Sequence, residues 1–243
     1  MKFEFYEDFY YSYQVQGRGV LNSKDLLSLF EYENKDYDDL IGFALPNNRD
    51  IDCLDLGCGY GNFLYYLKSK GFKNTKGFDL DDNQIALAKS LKLNVEKKDV
   101  NDAFGNVANY GLISAFDLLE HLDKNKAVKL LLNIYNALNK NGLLILQCPC
   151  TDGFTGAHDM TNDLTHKWAA TSNMLNQLLM ATGFNKVIII DLTMPPNPKR
   201  LGRKIILVLR KISRIIACVF MRLLGIKIPR VWSNSQIAVA WKF

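Results

Sequence analysis

Three glycines follow a short apolar segment and precede an amphipathic one, in the run LDLGCGYG at positions 54–61. Glycine lets the backbone turn sharply and approach a ligand closely. A helix that begins after such a turn presents free N–H groups to the ligand. The spacing Gly57-x-Gly59-x-Gly61 differs from the G-x-G-x-x-G fingerprint of dinucleotide-binding proteins. The run therefore predicts a nucleotide-binding loop without naming the nucleotide.

An acidic residue, Asp79, follows the next predicted strand. A carboxylate at this position can accept two hydrogen bonds from ribose hydroxyls. NAD-binding proteins use the same arrangement. Asp79 alone therefore does not identify the cofactor, and an oxidoreductase function stays open. Asp81 fits the role of a helix N-cap better than Asp79 does.

Three histidines are the candidates for acid–base chemistry, and the chain has no others. His121 follows the fourth predicted strand, and His158 and His166 lie in a polar loop after the fifth. Open α/β sheets bind ligands at the carboxyl ends of their strands, so all three are expected near a substrate. As general base we favour His158 or His166, with His121 third. The alternative is a solvated loop in which Asp159 and Asp163 cap turns.

Strand-length apolar segments alternate with helix-length amphipathic ones, which predicts one α/β domain with helices on both faces of a parallel sheet. After the fifth strand the pattern changes to a polar loop, a helix ended by Gly183, a strand, a basic segment and a last strand. The predicted strands are 51–56, 75–79, 94–97, 110–116, 143–147, 187–192 and 234–241. The predicted helices are 23–30, 63–69, 81–91, 124–138 and 171–182.

Residues 51–147 resemble the class I S-adenosylmethionine-dependent methyltransferases, through the glycine loop and the segment FDLLEHL at positions 116–122. The resemblance implies a Rossmann-like α/β fold: a seven-stranded, mostly parallel sheet with helices on both faces and an antiparallel last strand. It implies S-adenosylmethionine as cofactor and S-adenosylhomocysteine as product. The residues implied to bind the cofactor are Asp55, Gly57, Cys58, Gly59, Gly61, Asp79, Leu80, Asp99, Val100, Phe116 and Asp117, with Asp79 at the ribose and Asp99 at the adenine amine.

A looser resemblance over residues 163–184 is to methyltransferases of bacterial polysaccharide and glycan biosynthesis. It implies O-methylation of a sugar, phosphate-linked or nucleotide-linked precursor of capsule or lipopolysaccharide. Two alternatives stay open. One is a methyltransferase for a quinone, lipid or other membrane-held small molecule. The other is a catalytically silent cofactor-binding protein that acts as an interaction module.

The first 45 residues are expected to form a lid or cap segment ahead of a methyltransferase domain at 46–243. Residues 3–21 are rich in Tyr and Phe. Arg18 could meet the carboxylate of the cofactor, and Tyr13 could stack or hydrogen-bond there. The alternative is a helix that packs its aromatic side chains on the core.

Positive charge is concentrated near the C-terminus. Residues 192–243 contain 11 Lys and Arg and no Asp or Glu, whereas residues 1–191 contain 19 basic and 25 acidic residues. Within this region, residues 195–230 are predicted to form a basic amphipathic helical insert, in which Leu207, Cys218 and Met221 interrupt the cationic arc. Such a helix is typical of a membrane surface contact, and the alternatives are packing on the domain or binding a phosphorylated acceptor. Nucleic acid is not expected, because aromatic residues are not interleaved with the charges.

The remaining features indicate a cytoplasmic enzyme, with peripheral contact to the inner face of the membrane as an option. Five cysteines in apolar contexts favour reduced thiols. Cys148-Pro149-Cys150 lacks zinc-site spacing, and no metal site is predicted. No signal peptide and no membrane-spanning helix are expected.

Overall fold

The computed structural model describes residues 23–104, 109–153 and 156–243, and only the backbone of residues 23 and 157–159. Seven strands form one sheet: β1 (Asp52–Leu56), β2 (Asn74–Asp79), β3 (Val95–Lys97), β4 (Tyr110–Phe116), β5 (Leu138–Pro149), β6 (Lys186–Asp191) and β7 (Ser235–Trp241). Their order is β3-β2-β1-β4-β5-β7-β6. β7 runs antiparallel to β5 and β6, and the pairs among β1 to β5 are parallel. The predicted Rossmann-like fold is confirmed.

Helices cover both faces of this sheet. They are α1 (Ser23–Leu40), α2 (Asn62–Ser69), α3 (Asp82–Ser90), α4 (Lys124–Ala137), α5 (Gly156–Thr161), α6 (Ser172–Ala181) and α7 (Leu201–Leu223). Successive residues of a strand point to opposite faces. Leu54 and Leu56 of β1 accordingly pack in the core cluster that contains α4 and α6, and Cys53 packs in the cluster that contains α1 and α2.

Most predicted boundaries agree with the structure to within one residue, but four regions differ. The basic insert predicted at 195–230 is helical only over Leu201–Leu223. β5 begins at Leu138 instead of residue 143, with Asn141 at a φ of 64° in its irregular first part. The polar loop after β5 contains the short helix α5. The division of the chain at residue 45 stays a prediction, and residues 1–22 lie outside the described part.

The first helix extends beyond its predicted end at Phe30 to Leu40. Its second half is acidic, and negative charge near a helix C-terminus is unfavourable for the helix dipole. Cations from a distant part of the chain offset this effect, because Arg203 of α7 lies 2.7 Å from both Asp36 and Asp39. The extension therefore depends on a tertiary contact that local sequence does not contain.

The helix α7 turns its cationic arc partly toward the domain. The guanidinium of Arg214 donates to Asp191 at 2.8 Å, and Arg203 is bonded to Asp39. Leu207 and Met221, which interrupt the arc in the sequence, are the buried residues of the helix. They mark the seam along which α7 packs on the domain. The opposite, apolar face is exposed to solvent in the described structure.

Candidate active site

The glycine loop connects β1 to α2 at the carboxyl edge of the sheet. Gly57, Gly59 and Gly61 have φ angles of 65°, 51° and 83°, in the left-handed region that glycine adopts without strain. Gly61 is the N-cap of α2, and no side-chain oxygen caps that helix. The N–H groups of its first turn are thus open to an external acceptor, as the sequence predicted for a nucleotide-binding loop.

Asp79 ends β2 beside this loop. Its carboxylate accepts hydrogen bonds from the backbone N–H groups of Gly59 at 2.8 Å and of Asp81 at 2.9 Å. These bonds fix the carboxylate, which keeps lone-pair capacity for a further donor such as a ribose hydroxyl. Burial raises the pKa of Asp79 above its ordinary value. Asp81 itself caps α3 by accepting from Asn83 and Gln84, which confirms its predicted role.

Asp55 lies within the sheet, not on the surface of the loop. Its carboxyl is 2.6 Å from the hydroxyl of Ser114 on the neighbouring strand, and only 2% of the residue is exposed. Burial raises its pKa to about 7. Cys58 is also buried, which raises the pKa of its thiol and leaves it an inert packing group.

Asp99 and Val100 follow β3 at the same sheet edge. Asp99 caps a short 3-10 turn by accepting a hydrogen bond from the backbone N–H of Asn101 at 2.8 Å. Val100 is buried in the same core cluster as Phe78. Leu80, which follows β2, is about half exposed. The structure brings the loops after β2 and β3 together, and the cofactor contacts of these three residues stay predictions.

The end of β4 carries a backbone conformation that is rare for an aspartate. Asp117 has a φ of 48°, and its carboxylate accepts from the side-chain amide of Gln147 at 2.9 Å. Non-glycine residues held in this region cost about 1–3 kcal/mol and occur preferentially at functional sites. Phe116, one residue earlier, packs on Phe63 with ring centroids 4.8 Å apart.

Two of the three candidate histidines meet just beyond β4. The ring centroids of His121 and His166 are 4.9 Å apart. The hydroxyl of Thr165 lies 2.7 Å from Nδ1 of His121 and donates to Asp163 Oδ1 at 2.6 Å. Burial, and next the neighbouring His166, lower the pKa of His121. The pair has the position expected for groups that contact a methyl acceptor.

A buried acid, Glu120, lies beside the two rings. It is 1% exposed, and neither carboxylate oxygen has a hydrogen-bond partner among the described residues. Oε1 lies 3.9 Å from Nε2 of His166. Burial, and next the charge of Asp117, raise the pKa of Glu120 well above its usual range.

Sequence reasoning did not single out Glu120, although it falls within the quoted segment FDLLEHL. Its one signal is an acid between Leu119 and His121, which is also compatible with an exposed turn. Position 166 is too distant in sequence for a spacing motif to connect it with His121. The third histidine, His158, belongs to α5, where the side chain is not described. Arg18 and Tyr13 lie outside the described residues.

The residues present fit a nucleoside cofactor with an amino-acid moiety. The loop offers backbone donors at the start of α2, and Asp79 offers a fixed carboxylate beside it. Gly59 has a φ of 51°, which other residues adopt only with strain, so this position of the loop favours glycine. The histidine pair lies one strand away, beyond β4. The candidate cofactor residues and the histidine pair thus lie at different points along one edge of the sheet.

Comparisons with known proteins agree with this geometry. Residues 29–188 match a family described as a methyltransferase domain. The carboxy-S-adenosyl-L-methionine synthase of Staphylococcus epidermidis is 24% identical over 170 residues, covering 67% of this chain and 72% of that protein. A solved SAM-dependent methyltransferase of Archaeoglobus fulgidus has a TM-score of 0.66 at 20% identity, covering 96% of this chain and 100% of its own. The phosphoethanolamine N-methyltransferase 2 of Haemonchus contortus in complex with S-adenosyl-L-methionine has a TM-score of 0.59 at 14% identity, covering 92% of this chain and 60% of its own.

Proposed function

Since the chain belongs to the methyltransferase-domain family and is an S-adenosylmethionine-dependent methyltransferase, we propose that it methylates an oxygen of an acceptor held at a membrane surface. The preferred acceptor is a precursor of a surface glycan carried by a lipid. The observation that supports a membrane-held acceptor is the exposed apolar face of α7.

This face is large for a surface helix. Exposed aliphatic and aromatic side chains extend along its whole length, and the most exposed are Leu201, Leu209, Ile215, Ile216, Phe220 and Leu223, at 61–80%. Soluble monomers rarely expose contiguous apolar patches of such extent unless the patch binds something. Within the described part of the chain, no helix is both long and apolar enough to cross a bilayer. A helix lying in the membrane interface is the remaining way for lipid to cover this face.

Cations border the apolar face. Lys204, Lys211 and Arg222 are exposed, and no ion pair or hydrogen bond is recorded for their side chains among the described residues. Lipid headgroups of bacterial membranes carry phosphate, and a basic residue near an anionic bilayer contributes about 1 kcal/mol of attraction. An apolar stripe with flanking cations therefore favours an anionic lipid surface over a second copy of the same basic helix.

The attachment of α7 to the end of β6 supports a membrane-held acceptor. Arg214 bonds to Asp191, the last residue of β6. Since β6 is parallel to β5, its carboxyl end lies at the same edge as the ends of β4 and β5. A membrane that covered α7 would present an acceptor to that edge.

The chemistry is a displacement at the sulfonium methyl group that S-adenosylmethionine supplies. The C–S bond breaks as a C–O bond forms, and its electron pair stays on sulfur. The acceptor hydroxyl gives up its proton, which passes to a base or to water. The chain contributes alignment, through the glycine loop and Asp79 on one side and the histidine pair on the other. Orientation of this kind can supply on the order of 7–11 kcal/mol of the barrier.

Vesicle flotation of the full chain tests the membrane contact. We expect binding to phosphatidylcholine vesicles that increases when phosphatidylglycerol is added. Ile216→Asp removes one exposed apolar side chain, worth about 1.5–3 kcal/mol when buried in lipid, and should weaken binding at least about tenfold. Ser213→Asp is the matched control, because it adds the same charge on the same helix without removing apolar surface. It should change binding to uncharged vesicles by less than about threefold.

Two results would overturn the membrane proposal. One is a wild-type chain that binds neither vesicle. The other is a wild-type dimer in analytical ultracentrifugation that Ile216→Asp dissociates, because a second copy would then cover the face.

Methyl labelling tests the acceptor. Bacterial membranes incubated with the enzyme and methyl-labelled S-adenosylmethionine should yield label in the organic extract. Mild acid that cleaves lipid–phosphate–sugar links should move this label into water. Label that stays organic after acid would indicate a quinone or lipid acceptor instead. Label that is aqueous from the start would refute a membrane-held acceptor.

A further inference from the structure

We infer that Glu120, His121 and His166 bind a divalent metal ion at the acceptor side of the sheet. One ligand atom from each residue can be chosen such that all three atoms lie within 4.8 Å of one another. Two imidazole nitrogens and one carboxylate oxygen form a donor set that suits Mn²⁺, Fe²⁺, Co²⁺ or Zn²⁺ and leaves coordination positions open. Neither the sequence motifs nor the family match assigns a metal to this chain.

The first support is the state of Glu120. Its two oxygens are buried and have no hydrogen-bond partner among the described residues. A buried carboxylate that accepts no hydrogen bond is expensive to keep, and the neighbouring acids Asp117 and Asp163 add negative charge to its surroundings. A cation between Glu120 and the two rings would supply the missing partner.

The second, independent support is the orientation of His121. The hydroxyl of Thr165 has one proton, and it donates that proton to the carboxylate of Asp163 at 2.6 Å. At its 2.7 Å contact with Nδ1 of His121, the hydroxyl must therefore accept. Nδ1 then carries the ring proton, and Nε2 keeps its lone pair. A metal-ligating histidine almost always donates the proton of its other ring nitrogen to an oxygen acceptor, and Thr165 would be that acceptor here.

The two rings and the acid come from rigid neighbours. Glu120 and His121 lie on the 3-10 turn at 119–121 that follows β4. His166 is tied to the same turn, because the backbone N–H of Lys167 donates to the carbonyl of Glu120 at 2.8 Å. The three ligands are thus preorganised at a fixed separation without any ligand from residues outside the described part.

The site would act on the acceptor oxygen. A divalent ion would lower the pKa of a coordinated hydroxyl, so the proton of an oxygen acceptor could pass to water without a side-chain general base. Nitrogen lone pairs that hold a metal ion are not available to take a proton. His121 and His166 would then serve as ligands instead of bases. This role toward the acceptor rests on the proposed function, whereas the ion site itself does not.

The test is Mn²⁺ binding by the full-length chain after chelator treatment and dialysis, followed by electron paramagnetic resonance. Bound Mn²⁺ loses its sharp solution spectrum, so stoichiometry and affinity are measured without any acceptor. We expect one ion per wild-type chain. Glu120→Gln should lower the affinity more than about 100-fold, and Thr165→Val, which removes only the hydroxyl that orients His121, about 10–100-fold.

Matched control variants distinguish a specific Mn²⁺ site from nonspecific attraction of Mn²⁺ to negative charge on the protein. Thr165→Ser keeps the hydroxyl and should bind as wild type does. Asp123→Asn removes an exposed carboxylate three positions from Glu120 and should also leave affinity unchanged. Folding of each variant is checked by its circular dichroism. If Glu120→Gln fails to fold, the Thr165→Val and Thr165→Ser pair decides the question.

The inference is overturned if the wild-type chain binds no stoichiometric Mn²⁺, or if both Glu120→Gln and Thr165→Val bind it as wild type does. Its failure is distinguishable from that of the proposed function. Metal binding with no labelled membrane acceptor would retain the ion site and refute the membrane-held acceptor. If the membrane acceptor is labelled in the presence of chelator and the chain binds no Mn²⁺, the membrane-held acceptor is retained and the ion site is refuted.

Discussion

Replacement of the buried acid Asp55 by asparagine should remove a pH-dependent cost to folding. Asp55 is 2% exposed and is bonded to Ser114 inside the sheet, and burial raises its pKa from 3.8 to about 7. Each unit of pKa shift corresponds to about 1.4 kcal/mol. At alkaline pH, burial of the ionised Asp55 therefore lowers the free energy of unfolding by on the order of 4 kcal/mol.

The sign follows from proton uptake. Between the unfolded pKa, about 3.9, and the folded value, the folded chain holds a proton at Asp55 that the unfolded chain has lost. The free energy of unfolding contributed by this group thus decreases as pH rises through this window, and it stays constant above the folded pKa. The asparagine of the Asp55→Asn variant does not titrate. The free energy of unfolding of the variant minus that of wild type should therefore rise by about 2–3 kcal/mol between pH 5 and pH 8.

Urea unfolding of both proteins at several pH values, without cofactor, measures this difference. Asp52→Asn is the matched control, since Asp52 lies on the same strand but is exposed; its difference from wild type should stay within about 0.5 kcal/mol at all pH values. A difference between Asp55→Asn and wild type that is independent of pH would refute the assigned burial effect.

Asp39→Asn should lower the free energy of unfolding by about 2 kcal/mol in urea unfolding. The loss is smaller than for a fully buried ion pair, because Arg203 keeps Asp36 as a second carboxylate partner. A loss below about 0.5 kcal/mol would contradict the docking of α7 through Asp39 and Arg203. Gly61→Ala places a side chain at a φ of 83° and against Leu93. Calorimetry should therefore show weaker S-adenosylmethionine binding, and urea unfolding should show a free energy of unfolding lower by about 1–2 kcal/mol. Gly202→Ala, with nothing within 4 Å of its new Cβ, should instead gain up to about 1 kcal/mol. For Asp191, burial opposes ionisation, but hydrogen bonds from Thr193 and Trp232 and the charge of Arg214 hold its pKa below the ordinary value. Wild type should therefore lose stability as pH falls below about 4, and Asp191→Asn should show a smaller loss in acid unfolding; equal acid slopes would contradict it.

The order of strands and helices could be predicted because it depends on local patterns. Apolar alternation and turn residues fix where a strand or helix begins, and most boundaries agree to within one residue. The same holds for the glycine loop and for Asp79, because residues at the ends of successive parallel strands meet at one edge of the sheet.

The exceptions share a physical cause. The acidic half of α1 is helical because Arg203, far along the chain, neutralises it. The sequence showed that α7 has a cationic arc and an apolar face, but not which of them packs on the domain. Asp39 and Asp191 decide that orientation, since they bond to Arg203 and Arg214.

The sequence by itself therefore determined the fold, the methyl-donor loop and the list of candidate histidines. Only the tertiary structure decided which histidines meet. His121 and His166 are brought together by the pairing of the segment at 163–167 with the turn after β4. It also decided that Glu120 is buried beside them, because burial depends on the neighbours that surround a side chain in three dimensions and not on those adjacent in sequence.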